Sequence, residues 1–176
     1  MVDSSKKILI LNEEQISKKM IRIAYQILED NFEEKVIILA GIADRGFVMA
    51  QRLKILLEEI APEKKEISLM RVTVDKEKSA LNAQTDVPVS SAKGKAVILV
   101  DDVLSSGRTM AYGMGAFFDI PLKKIRTAVL IDRSHHRFPI FSDFYGLKLS
   151  TTLKEHVTVT LRESGKSTPK DAAWLA

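Results

Sequence analysis

Four consecutive apolar residues, Ile8 to Leu11, predict a short strand. Asn12 follows as a helix N-cap, with Gln15 three residues on to complete a capping box. Ile16, Met20, Ile23 and Ile27 then recur at steps of four, three and four, which is one face of a helix running to about Asn31. Val36 to Ala40 is apolar at every position, the pattern of a strand buried on both faces. A loop from Gly41 to Gly46 leads to a second helix with Met49, Leu53, Leu56, Leu57 and Ile60 on one face, and Pro62 lies just past its end.

Ile67 to Val74 reads as the next strand. Asp75 to Asp86 is polar, lacks an apolar period and reads as a mobile loop. Val97 to Val100 is again a buried strand, Asp101 to Gly107 a turn, and Arg108 to Phe118 a helix. Arg126 to Ile131 and Val157 to Leu161 complete the strands, with an aromatic-rich stretch (Phe138, Phe141, Phe144, Tyr145) between them. Strands alternating with helices predict an α/β fold, a Rossmann-like, mainly parallel central sheet flanked by helices on both faces. Ligands of such sheets sit beyond the carboxyl ends of the strands, which singles out Ala40-Gly41 and Val100-Asp101.

The 176 residues fit one domain, and 45% apolar with 28% charged residues is a globular composition, so long disorder and coiled coil are not expected. No apolar run reaches the ~18 residues that span a bilayer, and no secretory signal or membrane partner is expected. The lack of cysteine excludes disulfides, thiol nucleophiles and Cys-ligated metals, and fits a cytoplasmic location. Residues 1–120 carry 17 basic and 18 acidic side chains, whereas 121–176 carry 10 and 5, so a phosphate- or RNA-facing surface would lie in the last third. A solvated basic face accounts for the same imbalance.

The segment from Val97 to Thr109, VILVDDVLSSGRT, carries the chemistry. A buried strand delivers two adjacent carboxylates, Asp101 and Asp102, to its end. Ser105, Ser106 and Gly107 make a tight bend, and a helix starts at Arg108 and Thr109. Free N–H groups at a helix start attract an anion, and the small residues let the backbone approach a phosphate. Phosphate repels the carboxylates, so they serve either vicinal ribose hydroxyls or a Mg²⁺ shared with a pyrophosphate. Spacing alone also fits an acidic turn followed by a Ser-rich helix cap, and leaves both readings open.

VILVDDVLSSGRT resembles the phosphoribosyl-diphosphate (PRPP) binding motif of the type I phosphoribosyltransferases. AGIADRG, Ala40 to Gly46, is similar to their pyrophosphate loop. IDRSHHRFPIFSDFYG, Ile131 to Gly146, is similar to the branch that joins uracil phosphoribosyltransferase activity to attenuation of pyrimidine operons. The resemblance covers about residues 7–165.

It implies a transferase of nucleotide salvage that makes UMP and diphosphate from uracil and PRPP, with Mg²⁺ as cofactor. The alternatives are a nucleotide-sensing regulator that binds a pyrimidine-gene messenger RNA with weak or no catalysis, and a phosphoribosyltransferase for another base. It implies catalytic roles for Asp101, Asp102 and Arg45, the two acids holding the ribose hydroxyls directly or through Mg²⁺ carried by PRPP. Asp44, Arg45 and Gly46 would bind the leaving pyrophosphate. Val103, Leu104, Ser105, Ser106, Gly107, Arg108 and Thr109 would line the substrate site, with Ser105 to Thr109 cradling the 5′-phosphate. Asp132, Arg133 and Arg137 join the substrate-binding set; Asp132 and Arg133, at a strand end, read either as a contact with the base or with pyrophosphate and Mg²⁺, or as a surface ion pair. The resemblance also implies a homo-oligomer, a lid over about Val74 to Asp86, and a single domain (1–176) whose hood combines about 1–12 with 132–156.

The chain departs from its relatives at defined positions. Ser105 stands where purine-salvage enzymes place an Asp for the purine N7 proton, which argues against a 6-oxopurine. The branch has an aromatic at that position and a Thr next, where this chain has Ser105-Ser106. Asp44 replaces the branch's Thr and puts a carboxylate beside the pyrophosphate loop. Met70-Arg71-Val72-Thr73 stands where the branch has Tyr-Arg-Asp-Asp. Outside these motifs, His135-His136 reads as a surface pair without a third metal ligand. Met110 and Met114 read as core, Trp174 as a docking anchor or frayed end, and Arg133, Arg137, Lys148 and Lys154 as a basic surface.

Overall fold

Asn12 starts the first helix as its sequence predicts. Its side chain accepts from the Gln15 N–H at 2.9 Å, and the Gln15 side chain accepts from the Asn12 N–H at 2.9 Å. The computed structural model describes residues 7–62, 64–75, 83–152, 155–163, 165 and 169–176. In chain order the elements are β1 (Ile8–Leu11), α1 (Glu13–Asp30), β2 (Val36–Ile42), α2 (Arg45–Ile60), β3 (Glu66–Val74), β4 (Ala83–Thr85), β5 (Ala96–Leu104), α3 (Arg108–Gly115), β6 (Lys124–Asp132), β7 (Phe144–Lys148), β8 (Val157–Thr160) and β9 (Ala172–Leu175).

Six strands form the large sheet in the order β4-β3-β2-β5-β6-β7, all parallel except β4. Strand residues point alternately to opposite faces, and each face is covered by helix. Ile37 and Leu39 of β2, with Ile98 and Val100 of β5, pack under Ile16, Met20 and Ile23 of α1 and Met49 and Leu53 of α2. Ile38 and Ala40, with Val97 and Leu99, pack against Met110 and Phe117 on the α3 side. This is the α/β sheet expected from the uninterrupted apolar runs.

The chain leaves β2 toward β3 on one side and later enters β5 and β6 on the other. Strand order therefore reverses between β2 and β5, where open α/β sheets hold ligands. The carboxyl halves of these two strands hold the Gly41 and Asp101 positions singled out above, but β5 runs on beside β6 to Leu104, so Asp101 to Leu104 is strand where a turn was expected.

A second sheet is small and antiparallel, in the order β1-β9-β8. β1 falls in the 1–12 segment expected in the hood. Phe144–Lys148, inside the 132–156 segment, instead extends the large sheet beside β6. Gly146 allows this, because a Cβ there would lie 2.6 Å from the Leu130 carbonyl oxygen and 3.2 Å from the Lys19 Cβ. Arg22 of α1 donates to the Tyr145 and Gly146 carbonyls at 3.0 and 2.6 Å, so the edge strand is held by helix side chains. Trp174 is neither terminal fray nor a free anchor: it lies in the middle strand β9, in register with Leu9 and Thr158. Among the described residues no helix is long and apolar enough to cross a membrane.

Candidate phosphoribosyl site

Two strand ends and one bare glycine bring the site together. Gly46 sits in the first turn of α2, where a Cβ would meet the Val100 carbonyl oxygen at 2.6 Å and Asp101 Oδ1 at 3.0 Å. Only glycine lets the start of α2 rest directly on the end of β5. Arg45, the first residue of α2, then reaches Asp102: its Nε lies 3.2 Å from Asp102 Oδ2. The other oxygen of Asp102 accepts from the Val103 N–H at 3.0 Å, and Asp101 Oδ1 accepts from the Asp102 N–H at 2.9 Å. The twin acids are thus fixed in place by their own backbone.

The bend after β5 is set by Gly107, whose φ of 81° is a left-handed conformation that suits glycine. The Ser106 carbonyl accepts from the N–H groups of Arg137 and Phe138 at 2.9 and 3.0 Å. Carbonyl and N–H of one peptide unit point opposite ways, so the Gly107 N–H faces away from those two residues. A small cavity of about 50 Å³ lies against this loop, lined by Asp101, Val103, Leu104, Ser105, Ser106, Gly107, Thr109 and Met110. A polar cavity of about 650 Å³ opens beside it. Asp44, Arg45, Asp101, Asp102, Val103, Ser105, Thr109, Arg133, His156 and Val157 line its wall, along with Ile42 and Ala43. The larger cavity thus takes Asp44 and Arg45 from one motif and Asp101, Asp102, Val103, Ser105 and Thr109 from the other, while Leu104, Ser106 and Gly107 line only the smaller one. Arg108 points elsewhere, its Nε donating to the Tyr112 hydroxyl at 3.2 Å.

Asp132 and Arg133 sit at the end of β6 and are nearly buried, at 1% and 7% exposure. Asp132 uses both oxygens inside its own loop. Oδ1 accepts from the Ser134 N–H and lies 2.9 Å from His136 Nε2, while Oδ2 accepts from Ser142 Oγ at 2.6 Å. Burial pushes its pKa up, but the bonds from Ser142, Ser134 and His136 outweigh burial and hold the carboxyl below its ordinary value. Arg133 donates through Nη1 to Ser105 Oγ at 3.0 Å, and through Nε and Nη2 to Thr151 Oγ1 at 3.1 and 2.9 Å. It ties the phosphate loop to the segment before β8 and, being buried, is not part of a basic surface. Arg137 is exposed and meets the phosphate loop through its backbone.

His136 is no free surface residue, since it pairs with Asp132 and stacks edge-on against Phe141 at 5.2 Å. Among the described residues no three His, Asp or Glu side chains gather as a metal cluster. Of the expected lid, residues 76–82 lie outside the described residues, as does Lys154. The returning strand β4 pairs with β3, so part of the expected loop is sheet. Sequence reasoning missed His156 and Val157 at the cavity wall. Their only signal was a place at the start of the last predicted strand, His156 just ahead of it and Val157 its first residue.

Comparisons with known proteins place the chain in a family. The phosphoribosyl transferase domain matches residues 9–163. The chain is 35% identical over 167 residues to the Bifunctional protein PyrR of Bacillus mycoides and of Bacillus cereus, spanning 90% of this chain and 92% of each relative. A solved hypoxanthine-guanine phosphoribosyltransferase from Bacillus anthracis superposes with a TM-score of 0.70 at 20% identity, over 94% of this chain and 96% of that one. The hypoxanthine phosphoribosyltransferase of Trypanosoma cruzi gives 0.75 at 16% identity, over 94% of each chain. At those identities the two solved structures speak for the fold alone.

Proposed function

We propose a function from one premise: the chain belongs to the phosphoribosyl transferase domain family. It is a phosphoribosyltransferase that moves the ribose 5-phosphate unit of PRPP onto a nucleobase, with uracil giving UMP and diphosphate. The observation that carries this is the meeting of Asp102, at the end of β5, with Arg45, at the start of α2, across one polar cavity beside a glycine bend.

The C1–O bond to diphosphate breaks and its electron pair leaves with the diphosphate. The N1–C1 bond forms, and the N1 proton passes to solvent. Ser105 to Thr109 grip the 5′-phosphate at the start of α3, where helix N–H groups favour an anion. Asp101 and Asp102 accept from the ribose hydroxyls. Arg45 stabilises charge on the departing diphosphate, where electrostatic help is most effective.

Mg²⁺ fits this donor set, because it is ordinarily held by one or two carboxylates plus substrate phosphates and water and needs no protein cage. Asp101 and Asp102 would hold it, directly or through the ribose hydroxyls. Bound with PRPP, it would neutralise the diphosphate charge. The test is diphosphate release from PRPP and Mg²⁺ with a panel of bases. Release with uracil is expected, whereas release with hypoxanthine or guanine alone overturns the argument from Ser105.

A second reading, a nucleotide-sensing regulator that binds pyrimidine messenger RNA, is favoured by the relatives' name "bifunctional" and by a basic group at the edge strand β7. There Lys19 and Arg22 meet β7, and exposed Lys148 lies 4.5 Å over the Tyr145 ring. Salt-sensitive binding of a pyrimidine-leader RNA would support it, and unchanged binding across salt concentrations would oppose it.

A further inference from the structure

The wall of the large cavity is oddly acidic for a polyanionic substrate. Three carboxylates line it (Asp44, Asp101, Asp102) against two guanidinium groups (Arg45, Arg133), a balance of −1. Arg45 is already paired with Asp102. The carboxylate of Asp44 is 91% exposed in the loop that would receive the diphosphate, where its field opposes binding.

Arg71 answers this charge from a neighbouring strand. Its Nη1 lies 3.1 Å from Asp44 Oδ1. Arg71 sits opposite Gly41 in the β2–β3 register, and Gly41 allows α2 to close on β2, since a Cβ there would meet the Phe47 Cα at 2.5 Å. That close approach puts the Phe47 ring under Arg71, with the guanidinium carbon 4.1 Å from the ring centre. The backbone of Arg71 is pinned as well: its N–H donates to Asp86 Oδ1 at 2.7 Å, and its carbonyl accepts from the Asp86 N–H at 3.1 Å. An exposed ion pair contributes little to stability, so such anchoring is not explained by the folding energy of the pair.

We propose that Arg71 is a positioning residue of the diphosphate site: anchored on Phe47 and Asp86, it neutralises Asp44 so that the loop presents no net negative charge to the diphosphate of PRPP. The proposal rests on the phosphoribosyl reading and deepens it. When diphosphate enters, Arg71 is close enough to Asp44 to share its charge between the carboxylate and the ligand.

The test is calorimetric titration of the full chain with PRPP and Mg²⁺. Arg71→Met keeps a side chain on Phe47 but removes the charge, and is expected to weaken PRPP binding about tenfold, the scale of one uncompensated charge near a multiply charged phosphate. Asp44→Asn is expected to tighten binding severalfold. The double variant should bind within about twofold of Asp44→Asn, because removing the carboxylate makes the compensation unnecessary. Arg71→Lys should stay within about threefold of the unaltered protein, which separates charge from shape should Arg71→Met fold poorly. Unaltered binding in Arg71→Met, a double variant as weak as Arg71→Met, or Arg71→Lys as weak as Arg71→Met each overturns the proposal. Unaltered protein that binds no PRPP overturns the phosphoribosyl reading itself, and this proposal with it.

Discussion

Arg45 Nε lies 3.2 Å from Asp102 Oδ2, and the same guanidinium donates through Nη1 to the Val159 carbonyl at 3.1 Å. One side chain at the start of α2 therefore joins the end of β5 to the small sheet. Without ligand the pair is internally neutral. On the proposed function, a diphosphate would compete with Asp102 for Arg45, its phosphate oxygens pairing with the guanidinium and the ribose hydroxyls with the carboxylate.

Asp102→Asn is accordingly expected to cut kcat/KM with PRPP by about 10²-fold or more, the scale of losing a group that acts on developing charge. The fold should persist, because an amide can still accept from the Val103 N–H. Steady-state kinetics beside a thermal melt check both halves, and turnover equal to that of the unaltered protein would remove Asp102 from the assigned role.

Much of this was legible in the chain. Consecutive apolar residues in Val36–Ala40 and Val97–Val100 marked strands buried on both faces, and those faces are filled as expected. From the two motifs, Asp44, Arg45, Asp101, Asp102, Val103, Ser105 and Thr109 face one cavity from the starts and ends of different elements. β7 and β9 were not legible. Phe144–Lys148 contains a glycine and a lysine, and its place depends on a close approach to Leu130 and on donors from α1, which are contacts distant in sequence. Ala172–Leu175 is four residues long and becomes a strand through pairing with β1 and β8. Asp132 and Arg133 were legible as a polar pair at a strand end, but their burial, which turns their bonds inward, was not.

Gly46→Ala places a methyl group 2.6 Å from the Val100 carbonyl oxygen, so α2 must retreat from β5. The expected cost is about 1–3 kcal/mol of stability, as for other overpacked sites. Because the retreat carries Arg45 away from Asp102, activity should fall by more than tenfold. Thermal denaturation and PRPP titration check the two effects, and a variant with unaltered PRPP affinity would show that the close approach does not set the site.

Arg133→Ala leaves the Ser105 and Thr151 hydroxyls without their donor and opens a buried space between the phosphate loop and the segment before β8. A loss of about 2–4 kcal/mol is expected from the broken buried network, or about 4–16 °C in Tm for a domain of this size. Arg133→Lys should recover only part of it, because one ammonium cannot reproduce a planar fork bonded on several sides. A melt that leaves Arg133→Ala unchanged would make Arg133 a ligand contact rather than a clamp.

Asp132 is expected to contribute to stability at the acid end of the pH range. Burial would raise its pKa, but the Ser142, Ser134 and His136 bonds hold the folded value below the ordinary one of ~3.9 that the unfolded chain shows. A group depressed on folding stabilises the protein at pH above its unfolded value, and that contribution disappears as pH falls through ~3.9 and on to the lower folded value. Protonation leaves one oxygen as a donor facing Ser142 or His136, and the loop from Ser134 to Ser142 loses the acceptor that holds it closed. Denaturant unfolding between pH 3 and 7 should therefore show stability falling below pH 4 in the unaltered protein. Asp132→Asn should be less stable at pH 7 and should approach the unaltered protein as the pH drops. Two curves that stay parallel to pH 3 would show that Asp132 carries no charge-dependent share of the fold.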